Sequence, residues 1–257
     1  MGLPTHVAYR FDNGLEPHEI RPFCPAGASL QGSAIGATRV ETMIYNVSLG
    51  MLRVLTGFAL LGSVVWQVTD RLANNLFRPT EYFAYFSIVT AILAGLFLVI
   101  AGAGLLRKQE DNKRIEIARL SLTVAMIVVG VVYHALLAGA AGDDRDVGYV
   151  WPVLPNEIIH TYGPILITID YLLSHKAFRV KLRAALWVAV FPLTWLVFSV
   201  IRGLATNWWP YWFINPNEEG GVPGMLTYIA AITAFFLILG FLVLGTKKLI
   251  QRLTSGK

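Results

Sequence analysis

The stretch FAYFSIVTAILAGLFLVIAGAGLL, residues 83–106, carries no charged side chain. A helix rises about 1.5 Å per residue, so roughly 20 mostly apolar residues cross a hydrocarbon core about 30 Å thick. This stretch is long enough to do so. Across the whole chain 55% of the residues are hydrophobic and 14% are charged, whereas soluble domains carry about 25% charged residues. Residues 83–106 are therefore predicted to be a transmembrane helix.

Five further runs share this character. The six predicted spans cover residues 48–69, 83–106, 118–139, 157–174, 184–201 and 224–246. So many apolar runs leave too little polar sequence to cover them in water. The sequence predicts an all-α, polytopic membrane protein with six transmembrane helices in one bundle.

Polar segments flank this bundle. We expect a disordered, cytoplasmic N-terminal tail over residues 1–45, a transmembrane domain over 46–247 and a basic cytoplasmic tail over 248–257. The N-terminal tail has no apolar run of the kind found in a secretory signal peptide. Cys24 is the one cysteine of the sequence, so no intrachain disulfide is expected.

The distribution of basic residues predicts the orientation. Most of the 21 Lys and Arg residues lie before span 1, between spans 2 and 3, between spans 4 and 5, and after span 6. The positive-inside rule then places both termini in the cytoplasm of a multi-pass cell-membrane protein. Because the basic clusters lie at helix ends in alternate connections, we expect membrane lipids, and no nucleic acid, as partners.

Polar side chains inside the spans are the candidate functional residues, because ionisable groups in lipid are costly. Ser87 and Thr90 lie in the first two turns of span 2, His134 lies near the outer end of span 3, and His160 lies in the first turn of span 4. The topology gives all four the same depth in the outer leaflet. Asn156 precedes His160 by four residues and shares its helix face. Its side chain or a backbone carbonyl could fix the imidazole tautomer and leave the other nitrogen as a base.

Other interpretations of these residues stay open. The histidines could serve only as hydrogen-bonding groups between helices. His134 and His160 could be two ligands of zinc, iron or haem, although no third ligand lies at their depth within a span. No Walker, Rossmann or GxSxG motif is present. We expect no metal and no cofactor.

Two charged residues lie at a different depth. Arg53 is near the inner start of span 1, and Asp170 is near the inner end of span 4. Together they predict a buried ion pair that fixes the register of the helices. A proton relay through His160 and Asp170 is disfavoured, because they are about 15 Å apart along the helix.

The outer loops are aromatic. The loop after span 5 contains NWWPYWF, residues 207–213. Such residues are typical of the aromatic belt at the membrane surface. They could also form a lid over a pocket that opens outward.

A family resemblance connects several of these motifs. YFAYFSIVTAIL (82–93), VYHALLA (132–138), PNEIIHTYGPILITIDYLL (155–173), and FPLTWLVFSVIRG (191–203) followed by NWWPYWFINP (207–216) occur in this order. The chain resembles the bacterial branch of the androgen-induced and androgen-dependent TFPI-regulating membrane protein family over all six spans.

The resemblance implies an activity. Animal members of that family are six-span intramembrane hydrolases that cleave fatty acid esters of hydroxy fatty acids with a threonine and a histidine. The histidine of the N-x-x-x-H element falls on His160. The threonine follows a phenylalanine early in span 2, where this chain has Ser87 after Phe86, so the chain departs from the family pattern there. Thr90 is the alternative nucleophile.

The sequence therefore favours two hypotheses. The first is an intramembrane lipid-ester hydrolase with Ser87 as nucleophile, His160 as base, and Asn156 and His134 in supporting roles. The second is a non-catalytic membrane protein, an accessory subunit or small-molecule binder, in which the outer polar cluster is structural. A transporter is disfavoured because no internal repeat is visible.

Overall fold

The computed structural model describes residues 27–109, 112–139, 144–174, 180–218 and 220–255. The chain divides into two units, residues 1–43 and 44–257. Residues 27–43 of the first unit are helical. Cys24 and the first part of the predicted tail lie outside the described residues. The site and the packing described below belong to the second unit.

Helices dominate the described residues, which contain no strand. The α-helices are α1 (Gly27–Ala73), α2 (Pro79–Tyr82), α3 (Phe86–Leu106), α4 (Lys113–Val132), α5 (Val153–Glu157), α6 (Gly163–Leu173), α7 (Val190–Thr206) and α8 (Gly221–Ser255). Two π-helical turns follow α4 and α5, namely π1 (Tyr133–Leu137) and π2 (Ile158–Tyr162). Short 3-10 helices cover Asp144–Asp146, Leu182–Ala189 and Trp212–Ile214. The fold is all-α, as predicted.

Five helical stretches are long and apolar enough to cross a membrane, judged by length and composition. They are Val40–Ala73, Phe86–Leu106, Lys113–Leu137, Leu182–Thr206 and Gly221–Thr254. They are compatible with a multi-pass integral membrane protein. The predicted span 157–174 is instead divided among α5, π2 and α6, which follow one another without a break. Pro164 in this run has no N–H to donate to the carbonyl of His160, so the regular α-helical ladder is interrupted there.

Several helix ends differ from the predicted spans. The first helix begins at Gly27 and α8 continues to Ser255, so helix extends into both predicted tails. Helix α4 begins at Lys113 rather than near residue 118, because Asn112 caps it. The Asn112 Oδ1 accepts hydrogen bonds from the backbone N–H groups of Arg114 and Ile115, at 2.9 and 3.1 Å. This cap satisfies two of the N–H groups that a helix start leaves free.

Glycines bring α1 and α3 together. A Cβ atom on Gly57 would lie 2.7 Å from the carbonyl oxygen of Gly95, and one on Gly102 would lie 2.8 Å from that of Gly50. Each helix thus carries two contact glycines about two turns apart. Close backbone approach through small residues is a common basis of helix association in membranes. The contact holds α3, which carries Ser87, against α1.

Helix α4 lies at the centre of the second unit and packs against α3, α6, α8 and the 3-10 helix Leu182–Ala189. Its side chains Leu120, Val124 and Met126 are fully buried. Helix α7 meets α3 through large aromatic side chains. Phe191 stacks on Phe86 with ring centroids 5.1 Å apart, and the Trp195 indole N–H donates to the Ala84 carbonyl at 2.9 Å. A cavity lies beside these aromatic contacts.

Candidate functional site

The cavity lies between the start of α3, the end of α4, π2, α7 and α8, and has a volume of about 80 Å³. A buried water needs roughly 10–15 Å³, so several waters or a slender part of a ligand would fit. Ser87 and His160 both line it. Apart from these two, Trp195, Tyr211 and Thr233, every side chain that lines it is apolar.

Ser87 lies in the first turn of α3 and is 9% exposed. The residue before the helix, Tyr85, makes no capping hydrogen bond through its side chain. Instead the backbone N–H of Ser87 donates to the Tyr211 hydroxyl oxygen at 3.3 Å. The start of a helix carries unsatisfied N–H groups and the positive end of the helix dipole. The Ser87 hydroxyl is therefore placed where developing negative charge is favoured.

His160 lies in π2 and is 8% exposed. Its Nδ1 is 3.0 Å from the backbone carbonyl oxygen of Asn156. A carbonyl only accepts hydrogen bonds, so Nδ1 carries the proton and Nε2 of the neutral imidazole has a free lone pair. Nε2 makes no hydrogen bond with any residue that the structure describes. His160 therefore faces the cavity with a nitrogen that can accept a proton.

Tyr133 holds the imidazole in place from the π1 turn. Its ring stacks on the ring of His160, with centroids 4.2 Å apart and planes at 25°. The Asn156 side-chain amide donates to the Tyr133 hydroxyl at 2.7 Å. Asn156 thus supports His160 twice, through its own backbone carbonyl and through Tyr133. π-Helical turns are rare and frequently occur at functional sites, and two of them meet here.

The structure brings Ser87 and His160 to one cavity but does not join them by a hydrogen bond. No hydrogen bond joins the Ser87 hydroxyl to His160 Nε2 within the described part of the chain. Catalytic hydrogen bonds are often long before substrate binds and tighten in the complex. The arrangement has the components of a nucleophile and base pair, with room for water or substrate beside them.

Thr90 and His134, the other two residues predicted at this depth, do not line the cavity. Thr90 is fully buried one turn further along α3, and its hydroxyl has no hydrogen-bond partner among the described residues. His134 is exposed, and its Nε2 lies 2.9 Å from the Thr161 hydroxyl, which donates to a Glu157 carboxylate oxygen at 2.7 Å. Since the Thr161 proton is engaged by Glu157, His134 donates to Thr161.

Tyr211 is a cavity residue that the sequence analysis assigned only to an aromatic belt or lid. Its ring stacks on Phe213, with centroids 5.1 Å apart and planes at 5°, and meets the edge of Tyr85 at 5.6 Å. Burial raises the pKa of the Tyr211 phenol to about 12, while hydrogen bonds with Ser87 act in the opposite direction. The phenol therefore stays protonated at physiological pH. The many aromatic residues of this loop indicate that it could cover a site, but nothing in the sequence distinguishes Tyr211 from its aromatic neighbours.

Arg53 and Asp170 lie away from this cavity. The Arg53 Nε donates to Asp170 Oδ1 at 2.6 Å, and its Nη2 donates to the Ser174 hydroxyl at 2.6 Å. The Ser174 hydroxyl in turn donates to the backbone carbonyl of Asp170 at 2.6 Å. Asp170 lies near the end of α6 and His160 lies before its start, so the ion pair is separate from the candidate site.

A second buried charge cluster corrects the sequence analysis. The charge pattern of the sequence assigns Arg119 to the connection between spans 2 and 3 and Lys247 to the basic group after span 6, whereas in the structure both side chains are at most 2% exposed. Arg119 Nη1 donates to Glu116 Oε2 at 2.8 Å, and Lys247 Nζ donates to Glu116 Oε1 at 2.5 Å. Lys247 Nζ also lies 4.0 Å from the ring centre of Tyr171. The early start of α4 places Glu116 and Arg119 in the helix, one turn apart.

Within the described ranges, no group of three or more His, Cys, Asp or Glu side chains is arranged to hold a metal ion. His134 and His160 engage different partners, Thr161 and Asn156. The polar groups that the lining residues offer are the hydroxyls of Ser87, Tyr211 and Thr233, the imidazole of His160 and the indole N–H of Trp195.

Comparison with protein-family models, with curated proteins and with solved structures finds no match for this chain.

Proposed function

We propose that this protein is an intramembrane hydrolase that cleaves lipid esters, with Ser87 as nucleophile and His160 as general base. The observation that carries the proposal is that Ser87 and His160 line one cavity whose walls are mainly apolar. The proposal also uses the resemblance of several sequence motifs to the androgen-induced and androgen-dependent TFPI-regulating family. That resemblance favours the same two residues.

The proposal includes a topology. Helices α5 and α6 with π2 form a fourth span beside the five long helices, which gives six spans in the cell membrane and both termini in the cytoplasm. The distribution of Lys and Arg supports this orientation through the positive-inside rule. Ser87 and His160 then lie in the outer leaflet, near the depth at which the ester groups of lipids meet water.

The reaction would proceed in two halves. The Ser87 oxygen attacks the ester carbonyl carbon as His160 Nε2 accepts its proton, and the carbonyl electron pair moves to oxygen. The tetrahedral intermediate collapses, its bond to the alkoxide breaks, and the alkoxide takes the proton from His160. In the second half His160 takes a proton from a water molecule as the water oxygen attacks the acyl carbon. The bond to the Ser87 oxygen then breaks, the acid is released, and Ser87 takes the proton back from His160. The Asn156 carbonyl, which accepts from Nδ1, stabilises the imidazolium in each half.

The lining of the cavity supports a lipid substrate. Its walls are mainly aliphatic and aromatic, so they would bind hydrocarbon rather than a sugar or a peptide backbone. The same walls exclude bulk water, which strengthens hydrogen bonds at the reacting carbonyl. Ser87, rather than Thr90, is the proposed nucleophile because Thr90 is fully buried outside the cavity.

The second candidate is a non-catalytic binder of a small apolar molecule. The observation that favours it is the absence, among the described residues, of a hydrogen bond between the Ser87 hydroxyl and His160. In that case the polar cluster would hold helices together. The two candidates differ in whether Ser87 becomes covalently modified.

The test is labelling of the purified protein with a fluorophosphonate probe, which phosphonylates activated hydroxyls. Wild type, Ser87→Ala, Thr90→Ala, His134→Ala and His160→Ala are compared after their folding is checked by thermal unfolding. We expect labelling of wild type, Thr90→Ala and His134→Ala, and its loss in Ser87→Ala and His160→Ala. An unlabelled, folded wild type that turns over no lipid ester in bilayer discs would refute the hydrolase and leave the binder.

A further inference from the structure

The Tyr211 phenol lies directly against the proposed nucleophile. Its oxygen accepts the backbone N–H of Ser87 at 3.3 Å, at the start of α3. Tyr211 comes from the loop between α7 and α8, far from Ser87 in sequence, and it lines the same cavity as Ser87 and His160. The loop thus contributes a polar atom to the site.

The surrounding rings fix the position of this phenol. Tyr211 stacks on Phe213 and meets Tyr85 edge-on, with centroids 5.1 and 5.6 Å apart, and Trp195 lies 5.8 Å away on a third side. A ring held by three aromatic neighbours has few alternative rotamers. Its hydroxyl oxygen is therefore preorganised beside Ser87, as electrostatic stabilisation of a transition state requires.

The cavity has few hydrogen-bond donors that are free to serve a substrate. Among the lining residues with a polar side chain, Trp195 has its indole N–H engaged with the Ala84 carbonyl at 2.9 Å. Besides Ser87, the hydroxyls on the cavity wall are those of Tyr211 and Thr233. His160 offers Nε2 as an acceptor. A phenol has one proton to donate and lone pairs to accept. The backbone N–H of Ser87 donates to the Tyr211 oxygen. The Ser87 side chain also forms a hydrogen bond that lowers the pKa of the phenol, as a donor to the phenol oxygen does. Both groups of Ser87 thus act as donors to Tyr211, which leaves the phenol proton available to the cavity.

We propose that Tyr211 is a further catalytic residue, whose hydroxyl donates to the carbonyl oxygen of the substrate as Ser87 attacks. This inference rests on the proposed hydrolase function. When the bond from Ser87 to the carbonyl carbon forms, the electron pair of the carbonyl moves onto its oxygen. Tyr211 stabilises that negative charge by a hydrogen bond without giving up its proton, and the charge returns to the carbonyl when the alkoxide leaves. In this step the proton of the Ser87 hydroxyl goes to His160 and not to Tyr211.

The test compares Tyr211→Phe with wild type in two assays, fluorophosphonate labelling and hydrolysis of p-nitrophenyl octanoate. The substitution removes one oxygen and keeps the ring contacts. Loss of one oxyanion donor typically lowers kcat by about 10²–10³-fold, and we expect a decrease of that order with little change in KM. Tyr228→Phe is the matched control, because Tyr228 belongs to the same aromatic group, 6.1 Å from Phe213, but does not line the cavity. Thr233→Val removes the third hydroxyl on the cavity wall, beside those of Ser87 and Tyr211.

The outcomes separate this inference from the function on which it rests. An active wild type with Tyr211→Phe as fast as Tyr228→Phe overturns the role of Tyr211 and leaves the hydrolase intact. Faster labelling of Tyr211→Phe also overturns it, because the phenol would then obstruct the site. A larger decrease in Thr233→Val than in Tyr211→Phe assigns the donor to Thr233 instead. An inactive wild type overturns both proposals. Thermal unfolding of each variant excludes loss of fold as the cause of a slower rate.

Discussion

Arg53 of α1 and Asp170 of α6 form a buried ion pair, with Arg53 Nε 2.6 Å from Asp170 Oδ1 and both side chains 2% exposed. Ser174 accepts from the same guanidinium at 2.6 Å. The pair ties the first helix to the helix that follows His160. Because an isolated charge is costly in an apolar interior, the two partners must meet, and the register of α1 against α6 is fixed.

Removal of one partner of this pair should be more harmful than removal of both. Asp170→Leu or Arg53→Met leaves one buried charge without its counterion, and we expect each to lower the free energy of unfolding by about 3–5 kcal/mol. The double variant Arg53→Met/Asp170→Leu should lie closer to wild type than either single variant. Unfolding in mixed micelles measures all four proteins. Additive losses in the double variant would mean that the two side chains act independently.

The second charge cluster predicts an order of stabilities. Glu116 is the carboxylate between two buried cations, Arg119 and Lys247. Glu116→Gln removes it and should cost about 3–5 kcal/mol, whereas Lys247→Met retains the ion pair between Glu116 and Arg119 and should cost less. Lys248→Met, at the next position of α8, is the control. The same unfolding assay checks the order, and a Lys247→Met variant less stable than Glu116→Gln would contradict it.

The apolar helices could be predicted from the sequence, but the buried charges of this cluster could not. Hydropathy is a local property, so the apolar runs over 83–106 and 224–246 could be located from the sequence. The start of α4 depends instead on the Asn112 cap. In the sequence, Glu116 and Arg119 have the character of a polar connection. Their burial depends on a contact with Lys247, which is distant in the chain, so the local sequence does not predict it.

The glycine contacts of α1 and α3 predict a position-specific effect. A Cβ atom on Gly57 would lie 2.7 Å from the Gly95 carbonyl oxygen, while one on Gly62 would meet nothing within 4 Å. Gly57→Ala should therefore force the helices apart and cost about 1–3 kcal/mol. Gly62→Ala should change stability by less than about 1 kcal/mol. Thermal unfolding of the two variants makes the comparison, and equal effects would show that α1 and α3 do not pack through Gly57.

The sequence groups four candidate residues by their predicted depth, but it does not give the direction in which each side chain points. Of Ser87, Thr90, His134 and His160, only Ser87 and His160 line the cavity. Which way a side chain points around its helix depends on packing partners, and here also on the two π-helical turns. Tyr211 reaches the site from a loop, whose path no helical periodicity describes.

Alkaline pH should destabilise the protein partly through Tyr211. Burial raises the pKa of this phenol to about 12, above the value of about 10 in an unfolded chain. Its contribution to stability is complete below about pH 10 and is lost as the pH rises to about 12, because only the unfolded chain then releases the proton. Burial also raises the pKa of Tyr82, with the same sign. Unfolding temperatures measured from pH 8 to 12 should fall less steeply in Tyr211→Phe than in wild type. Parallel curves would contradict the assignment.

Tyr133 should act on the reaction through the orientation of His160. Its ring stacks on the imidazole at 4.2 Å, and its hydroxyl accepts from Asn156 at 2.7 Å. Tyr133→Phe keeps the stacking on His160, so we expect fluorophosphonate labelling within about threefold of wild type. Tyr133→Leu removes the stacking and leaves the imidazole of His160 free to turn. It should slow labelling by about 10–100-fold, because the base is then no longer held in position. Tyr162→Leu, a change of the same kind at an exposed residue of π2, is the control. The imidazole signals of His160 in NMR spectra provide an independent readout, because a released ring should exchange tautomers. Equal labelling of Tyr133→Leu and Tyr133→Phe would show that the carbonyl of Asn156 is sufficient to hold His160.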